Sequence, residues 1–133
     1  MSELINTAHK DNCIFCYIEP NWIIDESDDF VVIRDGFPVT EGHTLFISKH
    51  CVIDWFELTV HEQSELNQLI ISHKEKLTAS DPSISGFNIG MNCGESAGQT
   101  VMHFHAHLIP RRDGDTPSPR GGVRWVIPER QKY

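Results

Sequence analysis

The chain has 133 residues, 39% of them hydrophobic and 23% charged, which suits one compact domain around one core and excludes a disordered or fibrous design. A formal net charge of -8 and a sequence pI near 5.4 argue against long nucleic acid as a partner, because an acidic surface repels a phosphate backbone. The amino terminus lacks the basic start and apolar run of a secretory leader, and no stretch reaches membrane-spanning length, so the expected location is the cytoplasm with no membrane partner.

Near the start, Cys13-Ile-Phe-Cys16 forms a pair spaced by two residues. In a reducing compartment the four cysteines read as ligands or buried thiols rather than as disulfides: Cys13 and Cys16 have a spacing that suits ligands, and Cys51 and Cys93 are most simply buried thiols. A thioredoxin-like redox role for the pair needs a preceding strand and a βαβ context, which the first dozen residues do not supply. Residues 29–34 are a β-branched apolar run that Gly36-Phe-Pro38 breaks, and residues 44–48 are again β-prone. The short intervening loop makes these two strands antiparallel neighbours. Thr59-Val-His-Glu62 has the form of a capping box, and Leu66, Leu69, Ile70, His73 and Leu77 follow at helical steps, so one long helix is expected there. Residues 80–86 end it, 87–92 read as a third strand, 93–98 as a polar loop and 102–109 as a fourth strand. From about residue 111 the chain turns basic and irregular, with Arg111, Arg112, Arg120, Arg124 and Arg130 among Pro117, Pro119, Pro128 and Gly121-Gly122. No repeat or interdomain linker interrupts residues 1–133, which read as a single domain. His9 reads as solvated, His61 as a first-turn residue and His73 as part of the helix's inner stripe.

The densest chemistry lies in His103-Phe-His105-Ala-His107. Side chains alternate along a strand, so the three histidines share one face while Phe104, Ala106 and Leu108 turn to the core. A row of imidazoles supplies a nucleophile, an orienting partner and a phosphate donor near neutral pH. The bland reading is a half-exposed strand that merely carries histidine, and a sharper rival is a metal site holding all three with a metal-bound water as attacker. Spacing alone leaves these open.

His103-Phe-His105-Ala-His107-Leu-Ile109 resembles the signature of the histidine triad family of nucleotide hydrolases and transferases, and the likeness extends through Gly42-His43, Ser48-Lys-His50, Asn92 and Gly98-Gln-Thr100. The resemblance implies an α+β fold with a five-stranded antiparallel sheet and one long helix, dimerised so that two sheets combine. It assigns His105 as nucleophile at the α-phosphorus of a nucleotide, forming a nucleotidyl-histidine that water hydrolyses, with His107 and His43 completing the polar network. Gln99 and Thr100 match positions that hydrogen-bond the phosphate and leaving group, Asp35 a ribose-binding acid and Asn92 a position lining the phosphate site. Asp35-Gly-Phe-Pro38 departs from the Asp-Ile start common in one branch, which puts the ribose pocket in question. A subset of the family binds a structural zinc through a cysteine pair and two distant histidines, here Cys13, Cys16, His50 and His103.

An intact His107, where transferase relatives carry glutamine, favours hydrolysis. The tail resembles bacterial members described as diadenosine tetraphosphate hydrolases, and its arginines are candidates to receive distal phosphates. Dinucleoside polyphosphates are thus the first expected substrates, with a nucleoside phosphoramidase or a nucleotide-binding, signalling protein of little turnover as the alternatives.

Overall fold

The start of the long helix is set by side chains. In the computed structural model, which describes residues 12–133, Thr59 Oγ1 accepts from the Glu62 amide at 3.0 Å while Glu62 Oε1 accepts from the Thr59 amide at 2.8 Å. Two orphan donors are thereby satisfied, and α1 runs from there over Val60–Ser80. His9 and the amino-terminal stretch lie outside the described residues.

The five strands among these residues form one antiparallel sheet: β1 (Ile23–Glu26), β2 (Phe30–Arg34), β3 (Thr44–Ser48), β4 (Ile84–Gly90) and β5 (His105–Arg112), in the spatial order β1-β2-β3-β5-β4. This is the α+β architecture expected of the chain. Residues 29–34 and 44–48 do pair as neighbours, with Phe30 opposite Ser48 and Arg34 opposite Thr44. Strand β1 is additional to the four that the residue pattern gives. It is a four-residue edge strand whose pairing with β2 shifts between Ile23 and Asp25.

Two other strands sit away from their expected ends. β4 starts at Ile84, three residues early, because Gly86 is inside the strand rather than a turn; it lies where the register against β5 shifts. β5 starts at His105 and continues through Pro110 to Arg112. Pro110 lies beyond the β3 pairing, which stops at Thr44 opposite Leu108, and its carbonyl accepts from Thr40 Oγ1 at 2.5 Å.

Both faces of the central strands are covered, so β2 and β3 are apolar runs instead of alternating ones. Phe30, Val32, Phe46, Ala106 and Leu108 pack on one face with Leu66 and Leu77 of α1. His73 belongs to that inner stripe, buried against Phe46, with Nε2 at 2.8 Å from Asp25 Oδ2. Val31, Ile33, Leu45 and Ile47 form a second apolar patch on the other face, capped by Phe15, Ile18 and Ile23. No helix among the described residues is long and apolar enough to cross a membrane.

Candidate functional site

The register of β3 against β5 builds the site. Ile47 lies opposite His105 and Leu45 opposite His107, so the two imidazoles extend the apolar patch on the face away from α1. Phe15 packs edge-on against His105, with ring centroids 4.9 Å apart. His103 precedes the strand and is fully buried, held where the 48–52 segment meets residue 104 through Ser48 N to Phe104 O (3.3 Å) and Phe104 N to Val52 O (2.7 Å). The expectation of three histidines along one strand is therefore corrected at its first member.

Hydrogen bonds decide which nitrogen carries the proton when a ring bears only one. His43 Nδ1 accepts from the Val39 amide at 3.0 Å, which leaves the proton on Nε2. That N–H donates to His107 Nδ1 at 2.9 Å, with Asp35 Oδ2 a second acceptor at 3.3 Å. His107 must then carry its proton on Nε2, as a donor directed away from His43. His105 Nδ1 donates to the His103 carbonyl at 3.0 Å, so its Nε2 is a bare lone pair. His103 Nε2 donates to the Ser48 carbonyl at 2.7 Å, so its Nδ1 is the unprotonated, accepting nitrogen. Three side chains close in sequence thus present different nitrogens: an unprotonated Nε2 on His105, a donor Nε2–H on His107 and an unprotonated Nδ1 on His103. The all-histidine metal rival is not assembled, since no candidate metal group among the described residues contains His103, His105 and His107 together. Asp35, His43 and His107 do form a candidate group, but its two rings are already joined by a hydrogen bond.

His103 Nδ1 lies 3.3 Å from Cys13 Sγ and 3.4 Å from Cys16 Sγ, and Cys51 completes a set of four ligand atoms within 4.8 Å of one another. Three thiols and one imidazole suit tetrahedral zinc, and the bond from His103 Nε2 to Ser48 is the outer contact that orients a ligating ring. His50 is not in this set, which corrects the ligands expected from the sequence. The Val52 amide donates to the His50 carbonyl at 2.9 Å, closing a three-residue turn that sends neighbouring side chains different ways. His50 faces Glu62 Oε2 at 3.4 Å, and Cys51 faces the thiols.

Of the other expected residues, Asp35 joins the His43 network, and its Oδ1 accepts from the Phe37 amide at 2.8 Å. Asn92 lines the same cavity as His43 and His107. Gln99 is buried and its amide braces the preceding loop, accepting from Gly94 N (2.8 Å) and donating to Ile53 O (2.6 Å) and Val101 O (3.2 Å). Its donors therefore do not face the histidines. Thr100 lines a separate small cavity with Asn12, Cys13 and Met102. Neither residue is brought to the phosphate side of the triad, where the sequence reading put them. The arginines expected to meet distal phosphates are engaged within the protein: Arg111 with Asp115 (2.8 Å) and Arg112 with Asp81 (2.7 Å). Sequence reasoning missed Cys51, Val39 and Ser48, the last two because they act through backbone groups.

Comparison with known proteins gives a consistent picture. The HIT domain model matches residues 19–114. An uncharacterized HIT-like protein of Mycoplasma genitalium is 37% identical over 106 residues, covering 75% of this chain and 73% of that protein. An adenylylsulfatase of Arabidopsis thaliana, HINT3, is 33% identical over 113 residues, covering 80% of this chain but 55% of its own length. Among solved structures, a HIT family protein from Bacillus anthracis superposes with a TM-score of 0.72 at 38% identity, covering 79% of this chain and 77% of its own. A zinc-bound histidine triad family protein from Mycobacterium smegmatis gives 0.73 at 34% identity, covering 80% of each chain.

Burial holds three rings neutral. It lowers the pKa of His43, partly offset by Asp35, and lowers that of His73, partly offset by Asp25. His107 falls from 6.5 to about 4, through burial first and the neighbouring His105 and His43 next. Between these values the unfolded chain binds a proton that the folded one refuses, so stability is complete above about pH 6.5 and declines as pH falls toward 4. Urea midpoints measured from pH 7.5 to 4.5 should follow that course, and His107→Gln should flatten it. A midpoint that rises on acidification through this window would refute the buried-neutral assignment.

Proposed function

Since this chain belongs to the HIT domain family, we propose that it is a nucleotide hydrolase acting at an α-phosphorus, with His105 as covalent nucleophile. The observation that carries this reading is the bare Nε2 of His105, held beside the Nε2–H that the His43 relay leaves on His107. The His105 lone pair forms a P–N bond as the bond from phosphorus to the leaving group breaks. The departing group takes up a proton, and the His103 carbonyl stabilises the cationic ring through Nδ1–H. The His107 N–H is aimed to stabilise charge developing on the phosphoryl oxygens. Water then attacks the phosphorus, the P–N bond breaks, His105 is restored, and a nucleoside monophosphate and one proton leave. Dinucleoside polyphosphates and phosphoramidates are both conjugates of this kind.

Cys13, Cys16, Cys51 and His103 would hold a structural zinc. With four protein ligands and no open position it would cross-link the amino-terminal segment to the start of β5 and supply no reactive group. The zinc-bound relative supports this reading. The chain is further proposed to work as a cytoplasmic homodimer with a shared sheet, for which the open edges β1 and β4 are available. Sedimentation at about 30 kDa, twice the 15.2 kDa chain, would support the dimer, and a monomer at micromolar concentration would exclude it.

Two experiments test the chemistry. His105→Ala should fold and bind nucleotide yet lose turnover by about a thousandfold or more, the scale of losing a nucleophile. Quenched wild-type protein should carry labelled nucleotide on His105. An active variant with no trapped adduct would demand direct attack by water instead. For the metal, Cys51→Ser should lower zinc content and thermal stability together, whereas His50→Ala should retain zinc. The reverse pattern would restore His50 as the ligand.

A further inference from the structure

The turn joining β1 to β2 and the first two turns of α1 bring together side chains that the proposed chemistry does not use. Asp29 stands in that turn, His61, Glu62 and Glu65 follow on α1, and His50 reaches the same place from the segment after β3. Two overlapping donor groups result: Asp29 with His61 and Glu65, and Asp29 with His50 and Glu62. In each, the ligand atoms lie within 4.8 Å of one another. Neither group shares a residue with the thiol cluster. His61 and Glu65 are one turn apart on the same face of α1, with Nε2 3.9 Å from Oε1.

Charge in this cluster is unbalanced. Glu62 is 7% exposed and the Glu65 side chain 14%, so both carboxylates are largely out of water. Among the described residues, no lysine or arginine forms an ion pair with Asp29, Glu62 or Glu65; those that pair with carboxylates are on Glu26, Asp25, Asp115 and Asp81. The helix N-terminus contributes about half a positive charge, well short of three carboxylates. Glu65 shows the imbalance atom by atom. Its Oε2 accepts from Ser27 Oγ and from the Asp29 amide at 2.8 Å, while its Oε1 is buried with no hydrogen-bond partner. A buried carboxylate oxygen without a donor is costly unless a cation or a proton meets it. Asp29 is pushed the same way, since burial first and the neighbouring Glu65 and Glu62 next raise its pKa.

We propose that Asp29, His61 and Glu65 hold a divalent cation, at a metal site separate from the thiol cluster. One imidazole with two carboxylates suits Mn²⁺ or Zn²⁺ better than Mg²⁺ or Ca²⁺, which take oxygen donors. Metal bonds of about 2.0–2.2 Å place ligand atoms up to roughly 4 Å apart, so a small rotation of His61, the exposed member, closes the set. Bound there, the cation ties the β1–β2 turn to α1. The Asp29 carbonyl also accepts from the Lys49 amide at 2.8 Å, so the same turn grips the segment in which Ser48 orients His103. The site is a clamp on the scaffold behind the histidines, supplies no reacting group, and is tested apart from the hydrolase reading.

Mn²⁺ is the probe, because soft thiolates select zinc over it. Added without nucleotide to protein already loaded with one zinc per chain, it should bind once per chain by electron paramagnetic resonance, raise Tm, and broaden the imidazole signals of His61 more than those of any other histidine. Glu65→Gln and His61→Ala should each weaken Mn²⁺ binding by about tenfold or more and abolish the rise in Tm, with zinc content unchanged. Glu75→Gln, exposed further along α1, should change neither. The broadening is read on the wild type, so it decides the matter even if a variant fails to fold. Absence of Mn²⁺ binding, or binding that neither folded variant weakens, would overturn the proposal. Broadening centred on His43 and His107 would place the ion in the triad, and broadening centred on His50 would place it with Glu62; either result overturns the ligand set. If the wild type takes up no Mn²⁺ and Glu65→Gln raises Tm, Asp29 and Glu65 share a proton and the metal site falls.

Discussion

An imidazole that gives one nitrogen to a rigid backbone group has the state of its other nitrogen decided for it. Every assignment in this site depends on that constraint. The His103 carbonyl takes the Nδ1 proton of His105, the Ser48 carbonyl takes the Nε2 proton of His103, and the Val39 amide claims Nδ1 of His43. His107 then receives its tautomer second-hand, through His43. The rigid backbone around each ring selects its tautomer.

That rigidity comes from packing on the other side of the sheet. The capping box starts α1 at Val60, Leu66 and Leu77 bury Phe30, Val32, Phe46, Ala106 and Leu108, and the paired β3 and β5 strands hold His105 and His107 in register. The helix leaves the opposite face for a mixed surface of apolar side chains and imidazoles. The thiol cluster then ties the segment bearing Phe15 to the start of β5, so the ring that packs against His105 and the carbonyl that orients it share one anchor.

Much of this could be read from the residues, for reasons that also explain the failures. The capping box and the helical stripe are local patterns, and their elements stand where the pattern put them. The alternation of His105, Ala106, His107 and Leu108 likewise survives as an alternation of half-buried and buried positions. Strand β1 was missed because four residues with an irregular register carry too little pattern to stand out. His50 and Cys51 were confused because adjacent side chains of a turn diverge, and spacing does not say which one faces inward. Gln99 and the arginines carry the right chemistry for phosphate, but tertiary partners had already taken it up: loop carbonyls for the amide, carboxylates and Tyr133 for the guanidinium groups. Nothing in a linear sequence reports that a polar side chain is already engaged.

The most direct test of the account is the tautomeric state of the histidines, observed through the imidazole nitrogen shifts of ¹⁵N-histidine-labelled protein at pH 7.5. The hydrogen-bond relay predicts that His105 carries its proton on Nδ1, while His43 and His107 carry theirs on Nε2. A His105 ring protonated on Nε2 would place a proton on the attacking atom, and the nucleophile assignment would fall with it.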